Sequence, residues 1–158
     1  MVDRLLEKVR GHFWAISHEG GDGLPSWALT VGLWHTFGLP ELLVCGQDRP
    51  GRTATLSQAR LALDYGLLQV GQVDREVAWP HVKVGRVDES WHGTGLMRTP
   101  SVFYAGALPE YRQLVWADGQ GIFPGEEGHA GTPGGQPDLA LPWGDHPAGA
   151  WRDLGGQA

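Results

Sequence analysis

Three strand-like segments follow one another before the first long helical pattern, and this order limits the folds that are open to the chain. Aromatic and β-branched residues predict strands at 12–17 and 26–33, and a glycine-rich turn at 20–25 lets them pair as a hairpin. An unbroken apolar run predicts a third strand at 41–46 that is covered on both faces. Consecutive strands favour an α+β fold over a repeated strand–helix–strand order.

Helical patterns are fewer than strand patterns. Periodic apolar residues predict a short helix at 3–10. Thr55 is followed three residues later by Gln58, which is capping-box spacing and predicts a helix that begins at Thr55 and ends before Gly66. Another short helix is predicted at 101–107, after a proline, with a strand as the alternative there.

Later strand patterns complete the predicted sheet. Segments 72–76, 81–87 and 111–116 have alternating or apolar residues typical of strands, whereas 35–40 and 88–99 are expected to be connecting loops. We therefore expect a mostly antiparallel mixed sheet of five to six strands with two or three packed helices. Closure into a split β-barrel is the alternative.

The composition changes after residue 124. From 125 to 158, 13 of 34 residues are glycine or proline, which leaves few segments able to form a helix or a ladder strand. We expect one α+β domain over 1–124 and an irregular tail over 125–158. The tail is expected to pack on the domain surface, held mainly by Trp143 and Trp151, because indole burial offsets the entropy lost on ordering.

Charge and cysteine content exclude several functional classes. The formal net charge of −6 argues against a nucleic-acid groove, which needs clustered basic residues. Neither a membrane-spanning run nor a signal peptide is present in the sequence, so we expect no membrane partner and a soluble protein in a reducing, cytoplasmic setting. The single cysteine, Cys45, lies in an apolar strand and is expected to be buried and unreactive.

Cofactor and metal motifs give no assignment. Seven histidines lack the spacing of a helical metal site, and one cysteine cannot form a cysteine-cluster zinc site, so no metal site is predicted. Nucleotide-fingerprint, phosphate-loop and nucleophile-elbow motifs do not occur in the sequence. The cofactor, the partner and the oligomeric state are therefore unknown from the sequence.

Two blocks of residues are distinctive. The first, at 26–44, reads Ser-Trp-Ala-Leu-Thr-Val-Gly-Leu-Trp-His-Thr-Phe-Gly-Leu-Pro-Glu-Leu-Leu-Val, and the second, at 113–124, contains Gln-Leu-Val-Trp-Ala-Asp-Gly and Gly-Ile-Phe-Pro. In this order they resemble the bacterial domain of unknown function 4262 family, over residues 9–124. The family typically shows Tyr-Thr-x-Gly-Leu and Gly-His-Pro-Glu, then Gln-x-x-Trp-Pro-Asp before Phe-Pro. We expect the strands of both blocks to share one sheet, because extended segments need ladder partners.

Three residues depart from the family pattern. Leu29 stands where tyrosine is usual, Leu39 where histidine is usual, and Ala117 where proline is usual. The family name supplies no activity. The resemblance implies that, if the family's tyrosine and histidine are functional, this chain has lost or altered that activity.

Polar residues at strand ends are the candidate catalytic groups. His35 and Glu41 flank a predicted loop, and a histidine oriented by a carboxylate can exchange protons at neutral pH. Asp118 begins an Asp-Gly-Gln-Gly turn, where a turn-capping role competes with a role at a pocket rim. The candidate ligand-binding residues belong to the same two blocks and are Trp27, Thr30, Trp34, Gln113 and Trp116.

These residues support two functional hypotheses. The first is a small-ligand pocket, which could also be catalytic, formed by the 35–41 loop and the 116–118 turn. The alternative is a protein–protein interaction module that uses exposed tryptophans, a residue type enriched at interface hot spots. A deep pocket that joins both blocks favours the first hypothesis, whereas a flat surface that bears tryptophan favours the second.

Overall fold

The computed structural model describes residues 2–68, 73–74, 81–131 and 135–157. They form one six-stranded sheet and five α-helices. The strands are β1 (Ala15–Gly21), β2 (Leu24–Val31), β3 (Glu41–Cys45), β4 (Val73–Asp74), β5 (Val82–Arg86) and β6 (Tyr111–Trp116). The helices are α1 (Val2–His12), α2 (Leu33–Phe37), α3 (Arg49–Asp64), α4 (Arg98–Phe103) and α5 (Ala150–Asp153). Short 3₁₀ helices lie at Glu89–Trp91, Gly95–Met97, Trp143–Asp145 and Leu154–Gln157.

The sheet is mixed and mostly antiparallel. Its strand order is β1-β2-β3-β6-β5-β4. The pair β3–β6 is parallel, and the other four neighbouring pairs are antiparallel. Within the described residues β1 and β4 are opposite edges, so the sheet is open and the split-barrel alternative is wrong. The expected α+β class is confirmed, and both sequence blocks contribute strands to the same sheet.

Side-chain alternation places the two larger of the three buried clusters among the described residues on opposite faces of the sheet. Along β3, Leu43 and Cys45 belong to one cluster, whereas Leu42 and Val44 belong to the other. Helix α3 packs its apolar stripe on the second face through Leu56 and its neighbours. All five residues of β3 are buried, which confirms a central strand covered on both faces.

Helix α3 begins earlier than the capping-box spacing predicts. Asp48 is the N-cap, and its Oδ1 accepts a hydrogen bond from the Gly51 amide at 2.7 Å. Pro50 lies in the first turn, where its missing N–H costs nothing. Thr55 is inside the helix, and its hydroxyl donates to Gln47 Oε1 at 3.1 Å. The Asp-x-Pro start therefore overrides the later capping signal, while Gly66 follows the helix with a positive φ of 67°, as expected.

Two segments expected to be loops contain helical turns. The short helix α2 overlaps the expected loop at 35–40; it begins after Gly32 at φ 106° and ends before Gly38 at φ 68°. The expected loop at 88–99 contains two 3₁₀ turns and the start of α4. Of the strand predicted at 72–76, β4 is the described part, and the rest lies outside the described residues.

The C-terminal segment contributes to the interior rather than only to the surface. Trp151 is buried and meets Trp27 edge-to-face, with ring centroids 6.0 Å apart. Leu139 and Leu154 are also buried in this cluster. Trp143 is only partly buried, and its indole N–H donates to the Arg152 carbonyl at 2.8 Å. Leu139 and Leu154 therefore anchor the segment together with Trp151, whereas the sequence predicted that Trp143 and Trp151 would be the main anchors.

Cys45 is expected to resist thiol reagents in the folded protein. The side chain is fully buried in β3, and burial raises the pKa of its thiol well above the usual range, so thiolate is scarce. A chromogenic disulfide reagent at pH 7 should label Cys45 only after denaturant is added. Stoichiometric labelling of the native protein within minutes would contradict this prediction.

Candidate functional site

The Glu41 carboxylate occupies a closed polar site at the start of β3. Its Oε1 accepts hydrogen bonds from the Leu33 amide at 2.8 Å and from the Thr30 hydroxyl at 3.2 Å. Its Oε2 accepts from the Gly32 amide at 3.0 Å and from the Tyr104 hydroxyl at 3.0 Å. Glu41 thus joins β2, α4 and the first turn of α2, and its buried acceptors are satisfied by four donors.

Burial dominates the ionisation of Glu41. The side chain has no exposed surface, and desolvation raises its pKa to about 7 even though the four donors favour the charged form. Tyr104 is affected as well: its own burial and the adjacent Glu41 carboxyl raise the pKa of its phenol above the usual range. The Glu41 carboxyl is therefore partly protonated near neutral pH, at a place that is shielded from solvent.

His35 does not form the expected pair with Glu41. It lies on α2 with an exposed side chain, and its ring meets Phe103 edge-to-face at a centroid distance of 6.4 Å. The donors to Glu41 come instead from Thr30, Tyr104 and two backbone amides. A catalytic role for His35 stays a prediction, without the orienting carboxylate on which it was based.

Asp118 caps its own turn. Its Oδ1 accepts from the amides of Gln120 at 2.8 Å and Ile122 at 3.0 Å, and its Oδ2 accepts from the Ala130 amide at 2.9 Å. These amide donors lower the pKa of the carboxyl. The geometry is that of the turn-capping alternative.

The 35–41 loop and the 116–118 turn lie at opposite ends of the sheet. Strands β3 and β6 are parallel, and Glu41 is paired with Tyr111. Trp116 is five residues farther along β6, about 16 Å at roughly 3.3 Å per residue. The structure therefore corrects the expectation that the two segments form one pocket.

Four of the five candidate ligand-binding side chains are bound to the protein itself. Gln113 donates its Nε2 to the Pro137 carbonyl at 2.7 Å and accepts from the Leu139 amide at 3.2 Å. Trp116 donates its indole N–H to the Cys45 carbonyl at 2.7 Å. The other bonds are from Trp27 Nε1 to the Leu96 carbonyl at 3.2 Å and from the Leu42 amide to Thr30 Oγ1 at 2.8 Å. These side chains fix the sheet and the C-terminal segment.

Trp34 differs from those four because half of its side chain is exposed. It lies on α2, close in sequence to Phe37, which is 42% exposed. Phe13 is 59% exposed and meets Phe37 edge-to-face with centroids 6.4 Å apart. Phe13 also has a φ of 75°, a region that aromatic residues rarely adopt. We call Phe13, Trp34 and Phe37 the aromatic patch.

One departure from the family pattern has a visible consequence. The Ala117 amide donates to the His81 carbonyl at 2.9 Å and so continues the β5–β6 ladder. A proline at this position has no N–H and could not make this bond. Leu29, in contrast, is fully buried in the interior, and nothing in the structure assigns it a site role.

A cleft that sequence patterns did not reveal lies between α1, β1 and α3. Its volume is about 490 Å³, and none of the described residues that line it is acidic. We call it the basic cleft; α1 contributes Lys8 and His12, α3 contributes Arg49, Thr53 and Ser57, and the stretch that leads into and along β1 contributes Trp14, Ile16 and His18, together with Ala15. The spacings i,i+4 on the helices and i,i+2 on the strand place each set on one face. Each of these spacings is common by itself, and only the packing of α1, β1 and α3 brings the three sets of side chains together.

An oriented hydrogen-bond chain borders the basic cleft. Arg52 Nε donates to His18 Nδ1 at 3.3 Å, so the proton of the neutral ring is on Nε2, which faces Thr53 Oγ1 at 3.2 Å. Thr53 Oγ1 donates to the Arg49 carbonyl at 3.1 Å. Burial, and then the charges of Arg49, Arg52 and Lys8, lower the pKa of His18 to about 4. His18 is therefore neutral at pH 7, and the cleft owes its charge to lysine and arginine.

The described residues contain no cluster of three or more histidine, cysteine or acidic side chains arranged to hold a metal ion. None of the helices in the described ranges has both the length and the apolar character that a bilayer span requires.

Comparison with known proteins gives one match. The family model described as "Domain of unknown function (DUF4262)" matches residues 8–130, which is most of the chain. Comparisons with curated proteins and with solved structures each returned no match. The matched span contains the Glu41 site and every residue that lines the basic cleft. The chain belongs to the DUF4262 family.

Proposed function

We propose that the protein binds a small anionic ligand in the basic cleft. The observation that carries this proposal is that Lys8 and Arg49 converge with His12 on a cleft whose described lining has no carboxylate, in a chain of net charge −6. Nearby cations repel one another, and an anion in the cleft removes that repulsion. This keeps the small-ligand class predicted from the sequence but moves its site from the 35–41 loop to the face formed by α1, β1 and α3.

The polar groups of the cleft suit an acceptor-rich ligand. Arg49 offers a guanidinium fork that matches phosphate or carboxylate oxygens, and Lys8 offers an ammonium group. The Thr53 hydroxyl is already committed to the Arg49 carbonyl, and this bond fixes the first turns of α3 beside the cleft. Burial, and then the charges of Arg49, Arg52 and Lys8, lower the pKa of His18 and keep it neutral, and its ring is fixed between Arg52 and Thr53.

The proposal is tested by titrating the full chain with inorganic phosphate, followed by calorimetry or amide NMR shifts. We expect Arg49→Gln to weaken phosphate binding about tenfold or more, because a hydrogen bond to a charged group is worth roughly 1.5–3 kcal/mol. Arg4→Gln is the matched control, because Arg4 is exposed on α1 and does not line the cleft. Binding should also weaken as salt concentration rises.

Two outcomes would overturn the proposal. One is the absence of saturable phosphate binding by the native protein at low ionic strength. The other is an equal loss of affinity in Arg49→Gln and Arg4→Gln, which would show that phosphate senses only the overall charge. Amide shifts confined to α1, β1 and the first turns of α3 would support the assigned location.

The second candidate function is protein recognition through the aromatic patch. The observation that favours it is the exposure of Phe13, Trp34 and Phe37: Phe13 contacts Phe37, Trp34 lies three residues before Phe37 on α2, and Phe13 is kept at an unfavourable positive φ. Sedimentation of the native chain and of Trp34→Ala over a range of concentrations tests self-recognition. A monomer at every concentration, unchanged by the substitution, would count against association of two copies through this patch.

A further inference from the structure

The basic cleft has two chemically different ends. At one end Thr53 Oγ1 lies 3.2 Å from His18 Nε2, with Arg49 one helical turn earlier on α3. At the other end the Arg60 guanidinium lies over the Trp14 ring, 5.9 Å from its centroid. Helix α3 therefore runs antiparallel to β1 along the cleft. Arg49 marks one end, and the Trp14 indole, with Arg60 over its ring, marks the other.

The separation of the two ends sets the length of a ligand that can use both. From Thr53 to Arg60 the helix rises by about 10 Å. From His18 to Trp14 the strand extends over about 13 Å. A ligand whose anionic group and ring are directly bonded is too short for this distance. A spacer comparable in size to a sugar is needed between the two groups.

The wall at the far end suits a flat ring. Trp14 lines the cleft and is only partly buried, with Arg60 over its ring, and Ile16 continues the apolar floor toward His18. Ser57 on α3 supplies a hydroxyl between the two ends. Aromatic bases stack on indole rings with little dependence on base identity. Ligand pockets commonly combine an apolar wall with a few placed polar groups.

We propose that the ligand of the basic cleft is a phosphate ester with a flat ring that packs against Trp14, and that a nucleoside monophosphate is the simplest compound of this class. This inference rests on the proposed binding of an anion in the cleft. It adds that the phosphate lies at the Arg49 end, and that the ring contributes affinity of its own at the Trp14 end. A phosphate fits better than a carboxylate because its two charges and additional oxygens match both Arg49 and Lys8.

The test compares three probes on the native full chain by calorimetry: ribose 5-phosphate, adenosine 5′-monophosphate and adenosine. We expect adenosine 5′-monophosphate to bind about tenfold more tightly than ribose 5-phosphate, which is the gain expected of one stacked base. Adenosine should bind more weakly than the monophosphate, because it lacks the anionic group. Arg49→Gln should weaken binding of both phosphate-bearing probes.

A substitution locates the ring. Trp14→Leu should remove most of the advantage of adenosine 5′-monophosphate and leave the affinity for ribose 5-phosphate within about twofold, because only the stacked base is lost. Tyr65→Leu is the control, since Tyr65 is 77% exposed and does not line the cleft. If Trp14→Leu does not fold, NMR on the native chain locates the ring: shifts that adenosine 5′-monophosphate causes beyond those of ribose 5-phosphate should include the Trp14 indole N–H, and their absence there would overturn the assignment.

The outcomes separate the two proposals. Equal affinities for adenosine 5′-monophosphate and ribose 5-phosphate would overturn the ring assignment and leave anion binding in place. A monophosphate advantage that survives Trp14→Leu would also overturn it, because the ring would then bind elsewhere. Failure of both phosphate-bearing probes and of inorganic phosphate to bind would overturn the proposed function itself.

Discussion

Trp151→Ala should cost about 3–5 kcal/mol of the free energy of unfolding, the range observed when a large buried aromatic side chain is truncated. The Trp151 indole is buried against Trp27 in the cluster that includes Leu29 and Leu43 of the sheet. Its removal leaves a cavity beneath a C-terminal segment that has little regular structure to refill it. Urea unfolding of the variant and the native protein, followed by tryptophan fluorescence and circular dichroism, measures the loss.

Trp34→Ala is the matched control, because it removes the same side chain from a half-exposed position. It should cost less than about 1 kcal/mol. Similar losses for the two variants would show that the C-terminal segment is not an essential part of the interior. A chain that ends at residue 124 extends the test to the expected boundary of the domain. We expect it to lose cooperative unfolding, because cluster residues such as Tyr111 lose Leu139, Trp151 and Leu154 as packing partners.

Glu41→Gln should change how stability depends on pH. The pKa of Glu41 is raised from an ordinary 4.5 to about 7, so between these values the folded state binds a proton that the unfolded state has released. The free energy of unfolding therefore falls as pH rises through this window, and it becomes constant above pH 7. A shift of this size corresponds to about 3 kcal/mol. Glutamine cannot ionise, so the variant should lack this fall.

The measurement is the difference in unfolding free energy between the native protein and Glu41→Gln at pH 5 and at pH 8. At pH 5 the native protein should be the more stable, because the glutamine NH₂ replaces one of the two carboxyl oxygens and then faces the donor amide of either Gly32 or Leu33. By pH 8 its advantage should shrink by up to about 3 kcal/mol. Glu127→Gln, at an exposed position, should show no such trend. An advantage that grows with pH would mean that the four donors outweigh desolvation.

His18 acts in the opposite direction over part of the same range. Its pKa is lowered to about 4, so the unfolded state binds more protons below pH 6.5, and stability contributed by His18 is lost as pH falls from 6.5 to 4. The two groups therefore partly cancel in the native protein. This cancellation is the reason to compare Glu41→Gln with the native chain at each pH rather than to interpret a single pH profile.

Several features were determined by local sequence. The unbroken apolar run at 41–46 predicts a strand buried on both faces, and β3 is that strand. Asp118 precedes a Gly-Gln-Gly turn, and its carboxylate binds the backbone of that turn as the local chemistry predicts. In the Asp118 turn, the interacting groups are near neighbours in the chain. In β3, the apolar pattern belongs to the strand itself. Such information is present in a short stretch of residues.

The sites were decided by tertiary structure. Glu41 obtains donors from Thr30 and from Tyr104, which is 63 residues away, and no spacing within the 35–41 loop indicates either contact. The parallel pairing of β3 with β6 separates Glu41, at the start of β3, from Asp118, which follows the end of β6. The basic cleft exists because α1 and α3 pack beside one edge strand. Strand order and helix placement fix these distances, and desolvation and charge depend on distance in space rather than on separation along the chain.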